Sequence, residues 1–215
     1  MTNTKLKIST LFEQGPIVPV LVVDRVEQAV PLAETLIESG INVLEITLRT
    51  PDALKVIESI ATQVPDALVG AGTVAFADQL KDVANAGAKF AISPGLTREL
   101  LEAGKSSSVP LLPGVSSTSE LMKGMEYDYR YFKFFPAEAS GGVPALKSFN
   151  GPFPEIRFCP TGGINEKNYL DYLALPNVDC IGGSWIAPQD LIHEGNWEEI
   201  KRRTQLALSG VQTVI

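Results

Sequence analysis

A chain of 215 residues with 45% hydrophobic and 20% charged residues is long enough to bury a sizeable core and is expected to form one domain over residues 1–215. Its net charge of −7 leaves no basic stripe to track phosphates, so no nucleic-acid partner is expected. A single histidine, His193, and two cysteines, Cys159 and Cys180, exclude metal sites built from several imidazoles or thiolates and leave little for a histidine-based triad. The opening stretch MTNTKLKISTLFEQG has no apolar run of signal-peptide length, and no segment approaches the ~18 apolar residues of a membrane span, so the expectation is a cytoplasmic protein without a membrane partner.

In chain order, a first helix is expected near residues 3–14. Short apolar runs bounded by Gly and Pro then read as eight strands, at 17–23, 41–48, 67–73, 89–93, 109–113, 131–135, 156–160 and 178–182. Amphipathic stretches at 26–39, 52–63, 77–86, 97–104, 117–124, 141–149 and 166–173 read as helices between them, with a last helix near 196–209. Strand starts lie about two dozen residues apart, which is room for a strand, a crossover helix and two loops, the unit that joins parallel strands. The runs are continuously apolar, as in IVPVLVV, rather than alternating, which fits strands covered on both faces. Eight βα units predict a single (β/α)8 TIM barrel with an extra N-terminal helix; a doubly wound open sheet is the alternative architecture. Pro19 inside the first strand and Pro31 inside the first crossover helix fit neither pattern well.

Barrel enzymes place their chemistry at the C-terminal ends of the strands, so polar residues in the second half of a strand are the candidates. Lys133, in YRYFKFFP, is the one lysine placed mid-strand among aromatics. Burial disfavours the ammonium form, and a neutral amine in a dry pocket is the nucleophile that forms a Schiff base with a carbonyl. A lysine that snorkels out at the strand end, or pairs with a carboxylate, is the alternative. In LEITLRT, period two sets Glu45, Thr47 and Arg49 on one face of their strand. Glu45 is a carboxylate in the middle of a predicted strand and is placed to move protons; Arg49, at the strand exit, offers a fork for a substrate carboxylate. An internal Glu45–Arg49 ion pair is the purely structural alternative.

Glycines close the last two strands, as Thr161-Gly162-Gly163 and Gly182-Gly183-Ser184, where exposed backbone N–H groups commonly hold a phosphate. The string Gly70-Ala71-Gly72-Thr73-Val74-Ala75 matches a dinucleotide-binding turn, but the next strand, FAISPG, ends without the acid that binding needs. Small residues there read instead as room in the interior, with Thr73 presenting a hydroxyl. His193 reads as a surface residue. Cys159 and Cys180 read as reduced, buried small hydrophobes, and nothing near Cys159 argues for a thiolate.

GAGTV at 70–74, ISPG at 92–95, FKFFPAE at 132–138, CPTGGI at 159–164 and IGGSW at 181–185, together with LEITLRT at 44–50, closely resemble the class I 2-keto-3-deoxy-6-phosphogluconate (KDPG) aldolases, also called 4-hydroxy-2-oxoglutarate (KHG) aldolases. The resemblance runs from about Gly15 to Pro188. It implies a (β/α)8 barrel that assembles as a homotrimer and cleaves a phosphorylated 2-keto acid to pyruvate and glyceraldehyde 3-phosphate with no metal and no cofactor. By the same resemblance Lys133 is the Schiff-base lysine and Glu45 the proton-transfer carboxylate. Arg49 and Thr73, with Pro94 and Thr161 beside them, match the positions that hold the keto acid's carboxylate end, and Gly162, Gly163 and Ser184 match the phosphate-binding positions. The expected partners are therefore a small 2-keto acid and a phosphorylated aldehyde. Two rival readings of the residues are a phosphate-binding barrel isomerase or epimerase, with Glu45 as base and Lys133 acting electrostatically, and a non-catalytic sugar-phosphate-binding protein.

Overall fold

The computed structural model describes residues 7–212. It is an α/β fold in which every strand pairing is parallel. The strands are β1 (Ile17–Leu21), β2 (Val43–Thr47), β3 (Leu68–Gly72), β4 (Ala91–Ile92), β5 (Leu111–Leu112), β6 (Gly114–Val115), β7 (Tyr131–Phe134), β8 (Arg157–Pro160) and β9 (Ile181–Gly183). Six of them form one sheet in the order β5-β4-β3-β2-β1-β9, and three form another in the order β6-β7-β8. The fifth predicted strand is split into β5 and β6 at Pro113, which has no N–H to continue a ladder. Isolated parallel bridges, Phe158 to Val178 and Thr161 to Gly182, link the three-stranded sheet to the β9 edge of the larger one.

Helices fill the connections: α1 (Ile8–Phe12), α2 (Ala29–Glu38), α3 (Ala53–Gln63), α4 (Gln79–Asn85), α5 (Arg98–Ser106), α6 (Thr118–Glu126), α7 (Gly142–Asn150), α8 (Tyr169–Leu173), α9 (Gln189–Glu194) and α10 (Trp197–Val211). In α3 the buried residues Ala53, Val56, Ile57 and Ile60 recur at the i, i+3, i+4, i+7 spacing of one helical face, which packs on the sheet while Lys55 and Glu58 stay in water. Helix α6 starts at a reciprocal cap: Ser117 Oγ accepts from the Glu120 N–H, and the Glu120 carboxylate accepts from the Ser117 N–H. The predicted first helix shortens to α1, and residues 3–6 of that prediction lie outside the described residues. Helix α9 and two 3-10 turns, Val26–Gln28 and Glu138–Ser140, were not anticipated from the periodicity, because three to six residues are too few to show one.

Both proline irregularities have local explanations. The chain over 26–28 is a 3-10 turn, so the α-helix proper starts at Ala29 and Pro31 falls in its first turn, where an N–H has no intrahelical acceptor. Pro19 stands opposite Gly183 of β9, and pairing to β2 begins only at Val20.

Two apolar clusters follow from the alternation of side chains along each strand. The larger lies between strands and helices and draws in Leu21, Leu44, Ile46, Val69, Phe132 and Phe158. The smaller lies on the opposite, inner face and joins residues of both sheets: Val18, Val43, Phe90, Ile92, Leu112, Cys159 and Cys180. At the N-terminal end of the strands α1 closes this inner cluster with Leu11 and Phe12, the Phe12 ring meeting Tyr131 edge-on at 5.1 Å. At the other end the inner face turns polar.

Candidate active site

Each inner-facing row changes character as it runs along its strand. On β2 the row is Val43, Glu45, Thr47, and on β7 it is Tyr131, Lys133, then Phe135 just beyond the strand. Lys133 stands opposite Gly114 of β6 on one side and Cys159 of β8 on the other, and its own N–H is bound to the Pro113 carbonyl at 3.0 Å. Glu45 stands opposite Val20 and Gly70. From these two strands, 88 residues apart in sequence, Lys133 Nζ and Glu45 Oε1 meet at 3.0 Å, with side chains only 6% and 1% exposed. Among the described residues no other ion pair is comparably buried.

Small residues make this meeting sterically feasible. A Cβ at Gly72 would overlap the Glu45 carboxylate, and a Cβ at Gly70 would overlap the Phe90 ring. The Gly-Ala-Gly string thus serves as interior room, as its sequence context suggested, and not as a dinucleotide turn. The Phe135 ring lies 5.3 Å from Lys133 Nζ, an aromatic wall over the amine that sequence reasoning did not single out. Its signal was the same period of two that links 131, 133 and 135.

The other predicted residues lie just beyond the C-terminal ends of the strands. Glu45 does not pair with Arg49: the Arg49 side chain is exposed at the end of β2 and has no ion pair among the described residues. Thr47 is spent on structure, its hydroxyl donating to the Leu21 carbonyl at 2.9 Å. Thr73, one residue past β3, has φ of 59°, the left-handed region that a β-branched residue rarely enters, so the backbone there is strained. Pro94 is half-buried and its backbone passes so close to Gly114 that a Cβ there would collide with it. Thr161 is buried at the end of β8, its hydroxyl filling the space a side chain at Gly182 would need.

Gly162 and Gly163, with φ of 102° and 80°, turn the chain back beyond β8. The Gly163 carbonyl is occupied by the amides of Asn165 and Asn168, at 3.0 and 3.2 Å, and the Gly162 N–H is turned toward β9 by the Thr161–Gly182 bridge, while no backbone acceptor is recorded among the described residues for the N–H groups of Gly163 and Ser184. Two backbone donors at neighbouring strand ends, with the exposed Ser184 hydroxyl, are groups suited to an anion.

His193 sits exposed in the last turn of α9, where its carbonyl accepts from the side chains of Arg25 and Gln28. Cys159 and Cys180 are buried and unbridged. The neighbouring Cys159 thiol, with burial, pushes the Cys180 thiol well above its ordinary value, which disfavours a thiolate on Cys180. No helix among the described residues is long and apolar enough to cross a membrane.

A parallel α/β fold that buries a lysine against a carboxylate at its inner face, with an exposed arginine and a glycine turn at its strand ends, has the groups of a lysine-dependent carbonyl enzyme. The comparisons with known proteins specify it further. The family described as "Aldolase: KDPG and KHG aldolase" matches residues 8–203, and the chain belongs to that family; it is a lyase. It is 58% identical over 208 residues, 97% of each chain, to the 2-dehydro-3-deoxy-phosphogluconate aldolase of Pseudoalteromonas atlantica. It is 52% identical to the KHG/KDPG aldolase of Escherichia coli, covering 99% of this chain and 100% of that one. The crystal structure of KDPG aldolase from Legionella pneumophila, with pyruvate captured at low pH as a covalent carbinolamine intermediate, superposes with a TM-score of 0.93 at 53% identity, covering 95% of this chain and 99% of that one.

Proposed function

We propose that the protein cleaves 2-keto-3-deoxy-6-phosphogluconate to pyruvate and D-glyceraldehyde 3-phosphate through a Schiff base on Lys133, and by the same chemistry 4-hydroxy-2-oxoglutarate to pyruvate and glyoxylate. The observation that carries this reading is the buried Lys133–Glu45 contact of 3.0 Å at the strand ends. Burying two charges costs several kcal/mol per ion before their attraction is counted, and apolar residues would serve the fold as well, so the pair is explained by chemistry rather than stability.

The steps follow from the groups in place. Glu45 takes a proton from the Lys133 ammonium, and the neutral amine adds to the ketone carbon to form a carbinolamine. Glu45 returns that proton to the carbinolamine hydroxyl, which leaves as water, so that a protonated imine, an electron sink beside the bond that breaks, faces a Glu45 that is again a carboxylate. Glu45 accepts the proton of the carbon-4 hydroxyl, the bond between carbons 3 and 4 opens, and its electron pair enters the imine as an enamine while the aldehyde leaves. The enamine carbon regains a proton from Glu45, and water releases pyruvate and Lys133. Phe135 walls the amine, Arg49 with Thr73 holds the carboxylate end beside Pro94 and Thr161, and the Gly162-Gly163 turn with Ser184 takes the phosphate. Anchoring both ends of the substrate sets its ketone within reach of the amine, and this positioning supplies much of the rate.

The strands form, in this proposal, one closed (β/α)8 barrel in a single domain over residues 1–215. The two bridges from β8 to β9 and the adjacency of β5 and β6 support closure. The enzyme is further proposed to be a cytoplasmic homotrimer, an inference from family membership.

Borohydride reduction in the presence of pyruvate tests the mechanism. One reduced pyruvyl group is expected on the peptide carrying Lys133, with matching loss of activity; labelling that is absent, or that survives Lys133→Ala, refutes it. The same trapping separates the aldolase from an isomerase that uses Lys133 electrostatically.

A further inference from the structure

The segment beyond β7 runs directly against the glycine turn beyond β8. Ala137 N–H donates to the Thr161 carbonyl at 2.8 Å and Glu138 N–H to the Gly162 carbonyl at 3.1 Å. The Glu138 side chain lies along Gly163: a Cβ on that glycine would approach Glu138 Cγ to 2.5 Å and Cβ to 2.7 Å. Glu138 is not free to move away, because the Tyr172 hydroxyl donates to its Oε1. Tyr172 is itself fully buried on α8. Burial, with the Glu138 hydrogen bond, pushes the tyrosine well above its ordinary value, so it remains a donor at any working pH. Gly142, which leads into α7, fits against both partners, its missing Cβ lying 3.1 Å from the tyrosine oxygen and 3.2 Å from Glu138 Oε1.

We infer that Glu138, tied by Tyr172, is a positioning residue that holds the Gly162-Gly163 turn in its anion-binding shape and so sets the preference for a phosphorylated substrate. The inference rests on the reading above that this turn takes the phosphate. A carboxylate would ordinarily repel a phosphate. Here one of its oxygens is engaged by a hydroxyl, and its stem and backbone, rather than its charge, face the turn. Gly163 needs an otherwise rare φ of 80°, and the Glu138 stem excludes the side chain of any residue placed there. Lys133 and Glu45 make no hydrogen bond or ion pair to Glu138 or Tyr172, so the effect falls on binding of the far end and not on bond cleavage.

The test measures KM and kcat of Glu138→Ala, Glu138→Gln and Tyr172→Phe with two substrates. One is 2-keto-3-deoxy-6-phosphogluconate. The other is 4-hydroxy-2-oxoglutarate, whose chain ends one carbon past the hydroxyl that loses its proton and so stops short of the turn. Glu138→Ala is expected to raise KM for the phosphorylated substrate about tenfold, with kcat and both constants for the shorter substrate near wild type. Glu138→Gln keeps an acceptor for Tyr172 and is expected to stay near wild type; Tyr172→Phe is expected to fall between. Equal losses on both substrates, or no change on either, overturn the inference. Wild-type enzyme that shows no preference for the phosphorylated substrate and no competition by inorganic phosphate would instead overturn the phosphate assignment of the turn.

Discussion

The inner faces of the strands differ between their two ends. At the N-terminal end Val18, Val43, Phe90 and Tyr131 pack under α1 into a dry apolar plug. Two residues further along β2 and β7 stand Glu45 and Lys133, a buried ion pair, and just beyond β8 and β3 stand the buried Thr161 and Thr73, the latter in a strained backbone conformation. One end gains free energy from burial; the other gives some of it up to desolvated charge and strain. Stability and reactivity thus stand apart along a strand by a single period of two, which predicts that each end can be altered without the other.

Lys133→Met should show the largest effect, a loss of about 10⁴-fold or more in kcat. Phe12→Ala should do the reverse, costing about 3–5 kcal/mol of stability by denaturant unfolding while the folded fraction retains its kcat. If Phe12→Ala lowers kcat of the folded enzyme, the two ends are coupled. Replacing the pair together, Lys133→Met with Glu45→Leu, should leave stability unchanged or raise it by about 1–4 kcal/mol, since no uncompensated charge remains. A clear destabilisation would show the pair to be structural. Thr73→Gly should relieve the left-handed backbone, raising stability by about 1 kcal/mol, and should raise KM for every 2-keto acid. A pH-dependent effect, confined to alkaline solution, is expected at the plug end, where burial pushes the Tyr129 hydroxyl up to about 12 from 10.0. The folded chain keeps that proton where the unfolded chain has lost it, so stability present below pH 10 falls as pH rises toward 12. Tyr129→Phe should flatten that slope in melting temperature measured across the same range.

Much of this division can be read along the chain. Continuous apolar runs between Gly and Pro mark buried parallel strands, and period two sets Glu45 with Thr47 and Lys133 with Tyr131 on one face because strand geometry is local. The motifs around both residues carried the family resemblance. The break of a strand at Pro113 and the 3-10 start before α2 were less legible. A two-residue strand has no periodicity, and the helix signal of 26–39 does not reveal how its first turn is bonded.

The sequence by itself determined the order and parallel character of the elements, the scarcity of histidine and cysteine that leaves lysine and carboxylate to do the chemistry, and the residues able to do it. Only the tertiary structure decided that Glu45 pairs with Lys133 rather than Arg49, that Thr73 is strained, and that Glu138 and Tyr172 brace the glycine turn. Those contacts join strands and loops dozens of residues apart. Their distances depend on how the sheets curl and which small residues let neighbours approach, and no local pattern encodes either.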